Sequence, residues 1–485
     1  MEELVELEDV QGIIMKGYAR LEAATYLMLH LNNKDQAKSW LSDIAPMITS
    51  AQASSKEMDT AIQIAFTSEG IKALGFKDEL PSFPLEFVEG MVTEHRQRVL
   101  GDFDESDPTY WKWGGPNEPK PIHVLLMLFA INENAMDILY AVVKSKLEAS
   151  NINILHKLDT ENLPDLKEHF GFRDGIGQPI MKYAQRNEAK HEANNINPGE
   201  FLFGYKNEYD KYTFSPIVAP EKDPNGILPA DKNNPLLKDL GRNGSMLVFR
   251  QLHQDVKKFW NFMYETAEKK SETESTTPEF VASKMLGRWL NGAPLTKCPV
   301  APDDKYIGYD NFGYAQQDYD GFKCPVGAHI RRANPRDNFL RNSTGNANKD
   351  AEKSMMFMKR FRIIRRGRPF GKPLAPSMSP PDMLQSTIED TNRGMYFICF
   401  NSNIARQFEL IAQTWINNPK FAGLYEDPDP ITGYPGILPD PSSATFTEQA
   451  YPVRKKVSGL PRFIWAKGGA YFFMPGIKGL KFLGS

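Results

Sequence analysis

Three short stretches of this 485-residue chain carry side chains able to do acid–base or redox chemistry, and they lie far apart in the sequence. The first is GFRDGIGQP, residues 171–179. Its glycines bracket Asp174 and permit sharp, close-packed backbone. A carboxylate held on such a turn can point into a cavity and accept a proton. The competing reading is a turn that the Asp174 side chain closes on its own backbone. The glycine spacing is not that of a dinucleotide-binding fingerprint. The second stretch is CPVGAHIRRANPRD, residues 324–337. His329 follows small residues there and precedes Arg331, Arg332 and Arg336. A neutral imidazole can ligate a metal through one nitrogen while the other donates to a carboxylate. The seven other histidines are dispersed, with no H-x-x-x-H or H-E-x-x-H pair. A multi-histidine centre is therefore poorly supported, whereas a centre needing one protein ligand stays open. The third stretch is FRIIRRGRPFG, residues 361–371. Apolar alternation places Arg365 near the end of a strand, with Gly367 and Pro369 turning the chain. Arg365 is either part of a solvated edge or a buried cation that pairs with an anion and stabilises developing negative charge.

The elements that must position these groups show a recurring rhythm. Residues 23–32, 60–66, 121–130 and 151–159 read as strands. Residues 34–48, 68–74 and 132–149 read as helices, the last with an Asn or Glu able to cap it. The pattern returns with strands at 244–252, 361–367, 394–402 and 469–476, and helices at 254–270 and 404–418. This is a repetition of topology rather than of sequence. It predicts an α+β fold of tandem ferredoxin-like domains with antiparallel sheets. The polar stretch QRNEAKHEANNINPGE supplies a boundary, giving domains 1–185 and 186–485. Two further loop-like excursions are expected, at 341–354 and 427–445; loops of this length often frame sites.

Taken together, the three stretches resemble the dye-decolourising peroxidase family of haem proteins. Gly171, Asp174 and Gly175 meet its GxxDG pattern, AHIRRANPR its proximal motif, and Arg365, Arg366 and Gly367 its distal arginine motif. The likeness extends from DVQGIIMKGY at 9–18 to GGAYFFMP near the end, so it covers nearly the whole chain. The resemblance implies two ferredoxin-like domains with haem b between them, one per chain. It implies that His329 is the proximal iron ligand and that Asp174 and Arg365 face the distal side. Arg331 is expected near a haem propionate, and Met395 and Phe397 at apolar distal-pocket positions. Glu409 is one candidate for the carboxylate behind His329. The implied activity is reduction of hydrogen peroxide through a ferryl intermediate, with oxidation of dyes, phenolic or other aromatic electron donors, best under acidic conditions. Surface aromatic residues could relay electrons, with Tyr110, Trp111, Trp113, Tyr396 and Trp415 as candidates. The alternatives are a haem-dependent oxygenase and a haem storage or delivery protein.

Composition narrows the remaining classes. Apolar residues make up 41% and charged residues 25%, an ordinary globular balance. The formal charge of -3 gives no reason to expect a nucleic-acid partner. No stretch of 18 apolar residues predicts a membrane span. The three cysteines, Cys298, Cys324 and Cys399, read as free or buried thiols rather than a disulfide framework. With no secretory signal pattern at the N-terminus, a cytoplasmic location and a monomer or homodimer are expected. The 30 Phe, 18 Tyr and 19 Met suit either core filling or the walls of a large apolar cofactor cavity.

Overall fold

The computed structural model describes residues 3–53, 58–184, 192–271, 276–340 and 343–485. Strand β1 (Ala23–Leu31) feeds helix α1 (Lys34–Ile44) through Asn33, whose side chain accepts from the Asp35 and Gln36 N–H groups. Such a cap contributes about 1 kcal/mol. α1 buries Ala37, Trp40, Leu41 and Ile44, one face at helical spacing. Strands β2 (Thr60–Phe66) and β3 (Val124–Ala130) follow, then α2 (Glu133–Ala149) and β4 (Ile152–Asp159). Asn132 caps α2, which buries Met136, Leu139, Val143 and Leu147. The second half runs β5 (Ser245–Gln254), α3 (Val256–Ser271), β6 (Ile364–Arg365), β7 (Arg368–Phe370), β8 (Gly394–Asn401) and β9 (Ile464–Met474). Between α3 and β6 lie the short helix α4 (His329–Ala333) and α5 (Ala347–Met358).

The strand order shows how the repetition is built. The first half is ordered β4-β1-β3-β2 and the second β9-β5-β8-β6, all antiparallel. With β6 and β7, which both pair with β8, counted as one strand, both halves read 4-1-3-2 in chain order, the ferredoxin-like arrangement expected from the sequence. The two sheets join edge to edge into one nine-stranded sheet, and the seam between β2 and β9 is the single registered pair Phe66↔Phe473. The expected boundary at 185/186 lies outside the described residues.

Three local expectations are corrected. The strand expected over 361–367 is reduced to Ile364–Arg365, because Lys359–Phe361 closes a helical turn immediately before it. The expected loop at 341–354 contains α5 instead; its residues 341–342 lie outside the described residues. The Asn346 side chain caps α5 by accepting from the Asn348 and Lys349 N–H groups, and Ser354 and Met358 are buried beneath it. The helix expected over 404–418 is wound as two π-helical turns, Ala405–Glu409 and Ile411–Ile416. Its widened hydrogen bonds include Glu409 N to Ile404 O and Asn417 N to Ala412 O, both 2.9 Å. All three cysteines are free and buried. Among the described residues, no helix is long and apolar enough to cross a membrane.

Candidate functional site

The face of the second sheet carries a cavity of about 370 Å³. Alternation along the strands supplies its floor: Arg250, Leu252 and Gln254 from β5, Met395 and Phe397 from β8, and Ile464 and Ala466 from β9. The widened 405–416 helix and α4 stand over that floor. The 168–177 segment, with Leu100 and Asp102, closes the cavity from the first half of the chain. His329, Asp174 and Arg365 all line it, although 155 residues separate Asp174 from His329 in sequence.

His329 opens α4 and is held from behind. Its Nδ1 lies 3.1 Å from both carboxylate oxygens of Asp429. The Asp429 side chain is fully buried, and its Oδ1 also accepts from Ile431 N at 3.0 Å and Thr432 N at 2.8 Å. Burial opposes ionisation of Asp429. His329, Arg332 and the Thr432 N–H outweigh it and hold the carboxyl below its ordinary value. With Nδ1 engaged by a carboxylate, Nε2 is the nitrogen left to bind a metal. Glu409, the other candidate for this partner, is committed elsewhere: it accepts from Arg96 at 2.8 Å and from the Tyr471 hydroxyl at 2.7 Å. Asp429 lies in the loop that sequence marked as site-framing, but nothing in DPDPITG singles it out from its neighbours.

The Asp174 turn is shaped by Gly171 and Gly175, at φ +92° and +78°. Asp174 N donates to Leu166 O at 3.0 Å, while its carboxylate takes no hydrogen bond from any described residue. The side chain therefore does not close a turn on its own backbone, and it is exposed at the cavity. Four residues further on, Gln178 Oε1 accepts from Arg365 N at 3.1 Å, so the first and third stretches are tied together directly. The arginines of the third stretch divide by task. Arg366 donates to the carbonyls of Ile13 and Ile14, and Arg368 to those of Tyr18, Leu21 and Glu22; both fasten the amino-terminal segment. Arg365 is half-buried, points into the cavity and pairs with no carboxylate among the described residues. It belongs to the cavity rather than to a solvated edge. Gly367 is needed for close approach, because a Cβ there would sit 2.7 Å from the Tyr396 carbonyl oxygen.

One wall of the cavity has more guanidinium than carboxylate. Arg288 Nη2 lies 2.7 Å from Asp310, and Arg336 donates to the same carboxylate oxygen. Arg362, buried in this wall, donates to the Ala193 carbonyl and the Asn194 side chain. Burial and the neighbouring Arg336 push its pKa down to about 9 despite Asp310. Such a wall favours an added anion. Arg331, expected beside a propionate, is not part of it. Its guanidinium is turned away from the cavity and bonds Asp318 at 3.1 Å and the Cys324 carbonyl at 2.8 Å. Sequence reading missed Arg362, Asp310 and Asp429; of the anion-facing groups it singled out only Arg336, as part of the basic cluster after His329. Of the five relay candidates, Tyr110 alone is exposed, at 67%; Trp111, Trp113, Tyr396 and Trp415 are buried.

The residues present suit an iron porphyrin. Such a group needs an axial donor, an apolar slot for the ring and cations for two carboxylates. His329 offers the first, Leu252, Met395, Phe397, Phe408, Ile411 and Ile416 the second, and the Arg288, Arg336 and Arg362 wall the third.

Comparison with known proteins points the same way. Residues 9–164 match the model of the DyP dimeric alpha+beta barrel domain. A dye-decolorizing peroxidase of Mycena epipterygia is 28% identical over 518 residues, covering 99% of this chain and 87% of that protein. The solved structure of an ancestral D-type dye decolorizing peroxidase is 25% identical, with a TM-score of 0.77 and 99% of both chains covered. The DyP-type peroxidase of Anabaena gives a TM-score of 0.75 at 24% identity, over 98% of this chain and 94% of that one. The relatives that match along almost the entire chain, and the solved structures that share the fold built around this cavity, are dye-decolorizing peroxidases.

Proposed function

We propose that this protein is a haem-dependent peroxidase that reduces hydrogen peroxide and oxidises dyes, phenols or other aromatic donors. The observation that carries the reading is the convergence of three groups on one cavity: a histidine backed by a buried carboxylate, a carboxylate that takes no hydrogen bond from the described residues, and an arginine that pairs with no carboxylate among them. Haem b, one per chain, supplies the iron and the electron-storing ring when bound. His329 Nε2 would bind the iron, and Asp429, on Nδ1, raises the basicity of the imidazole and fixes its ring. Asp174 accepts one proton from peroxide and returns it to the departing oxygen. The Arg365 guanidinium holds the peroxide anion and the negative charge that builds up as the O–O bond lengthens. The apolar residues of the floor, Leu252, Met395 and Phe397 among them, keep bulk water from competing for those charges.

A storage or delivery protein needs neither Asp174 nor Arg365, and their presence in the cavity favours a peroxidase over such a carrier. The test is reconstitution with haem followed by addition of peroxide and a phenolic donor. The expected result is stoichiometric haem uptake and donor oxidation that depends on peroxide. Haem uptake with no peroxide consumption refutes the proposal.

A further inference from the structure

Of the carboxylates lining the cavity, Asp102 pairs with Arg250, Asp310 with Arg288 and Arg336, and Asp174 handles the peroxide proton. Glu168 also lines the cavity and has no such task. Its Oε1 accepts from Phe172 N at 2.9 Å, and its Oε2 from Phe170 N at 3.0 Å and from Gln254 Nε2. Its own backbone closes the same hairpin: Glu168 N donates to Phe172 O at 2.9 Å, and Gly171 N to Glu168 O at 2.8 Å. Asp174 stands two residues beyond Phe172. The Glu168 side chain therefore clamps the hairpin that aims Asp174.

Gln254 provides the second observation. Its Oε1 is buried and has no hydrogen-bond donor among the described residues. Rotating the amide by half a turn would present that oxygen to Glu168. A protonated Glu168 could then donate to it, and the orphaned acceptor would be satisfied. The surroundings favour the neutral acid. No lysine, arginine or histidine forms an ion pair with Glu168 among the described residues, and the β5 side chain bonded to it is the uncharged Gln254. On its own segment it faces the charge of Asp174, with Lys167 and Arg173 flanking in sequence. His169 is turned away, its Nε2 on the Phe370 carbonyl; the Trp260 indole of α3 reaches only the Phe170 carbonyl; and Arg365 faces the same cavity from β6. Burial, reinforced by Asp174 and only partly offset by the three hydrogen bonds, pushes the Glu168 carboxyl up to about 7.

We propose that Glu168 and Gln254 form a two-state proton-holding pair behind Asp174, with Glu168 as a positioning residue that must be neutral for the site to react with peroxide. In the neutral state the Glu168 O–H donates to Gln254 Oε1. On losing its proton to solvent, Glu168 accepts from Gln254 Nε2 and places a second negative charge beneath Asp174, where it repels the peroxide anion. The proposal rests on the peroxidase reading of the same cavity.

The test compares wild type with Glu168→Gln across pH, using two readouts. One is the second-order rate constant of the haem-loaded protein with hydrogen peroxide. Wild type should lose about tenfold per pH unit above about 7 as the single proton leaves, and Glu168→Gln should lack that alkaline limb. The other is infrared difference spectroscopy of protein carrying isotope-labelled glutamate, with and without haem. A protonated carboxyl band should vanish near neutrality in wild type and be absent from Glu168→Gln. If that variant does not fold, Gln254→Leu should move both the limb and the band to higher pH, because the hydrogen bond it removes from the charged form is stronger than the one it removes from the neutral form. Superimposable rate profiles, or no protonated glutamate at pH 6, overturn the proposal. A haem-loaded wild type that ignores peroxide instead overturns the reading of function, while the infrared band still decides the state of Glu168.

Discussion

Asp429→Asn should loosen the cofactor without dismantling the site, and the geometry says by how much. Oδ1 of Asp429 serves the turn, accepting from Ile431 N, Thr432 N and the Thr432 hydroxyl, as well as facing His329; Oδ2 faces His329 alone, at 3.1 Å. An asparagine that keeps its oxygen at the Oδ1 position preserves the turn. It replaces the Oδ2 contact with an amide and removes the charge from a fully buried position. A hydrogen bond to a charged group contributes roughly 1.5–3 kcal/mol. At about 1.4 kcal/mol per decade this is a 10- to 100-fold loss, the range found when a carboxylate behind a metal-bound histidine is removed. The assay is the rate at which haem passes from the reconstituted protein to an excess of apomyoglobin. Asp429→Asn should release it 10- to 100-fold faster, with an unchanged far-ultraviolet dichroism spectrum. Glu409→Gln should release haem at the wild-type rate, because Glu409 bonds Arg96 and Tyr471 instead. Unchanged release in Asp429→Asn, or fast release confined to Glu409→Gln, refutes the assignment of the carboxylate behind His329.

Other outcomes follow from the same geometry. Asp310→Asn leaves Arg288 and Arg336 without their shared carboxylate in a buried wall. Breaking such a pairing costs about 3–5 kcal/mol, which a denaturant titration of the haem-free protein would measure; added haem should recover part of the loss. Burial pushes His169 down to about 4, while its Nε2 bonds the Phe370 carbonyl. An unfolded histidine titrates near 6.5, so between pH 6.5 and 4 the unfolded chain takes a proton that the native one refuses. Stability should therefore fall as pH drops through that window, by about 3 kcal/mol from this residue, and chemical denaturation across pH should show a shallower slope for His169→Gln. Gly367→Ala forces a Cβ against the Tyr396 carbonyl. It should lower both the melting temperature and the peroxide rate constant, since the same strand turn carries Arg365.

The 4-1-3-2 sheets were legible because strand and helix periodicity alternate cleanly in both halves, as in TAIQIAF and ENAMDILYAVVKSKLEA. His329, Asp174 and Arg365 stood out by their glycine- or arginine-rich contexts, but each context alone also suited a plain structural role, and their assignment to one site came with the family resemblance of the three stretches together. The rest depended on contacts between distant segments. Asp429 lies 100 residues from His329, and only the fold brings them together. Arg331 and Arg336 look alike in RRANPR, yet one turns to Asp318 and the other to Asp310, because a five-residue helix and the bend after it point them in different directions. The π-helical winding of 405–416 left no mark either, since its apolar spacing also suits an ordinary helix.

The central claim is that peroxide reacts in this cavity under the control of Asp174 and Arg365. The most direct test is the second-order rate constant of the haem-loaded protein with hydrogen peroxide, followed by stopped-flow absorbance, for wild type, Asp174→Ala and Arg365→Leu. Loss of the proton acceptor should cost about 10²–10⁴-fold, and loss of the guanidinium about 10²–10³-fold. Both variants should still bind haem through His329 with an unaltered resting spectrum. If both react at the wild-type rate, the assignment of these two residues is wrong.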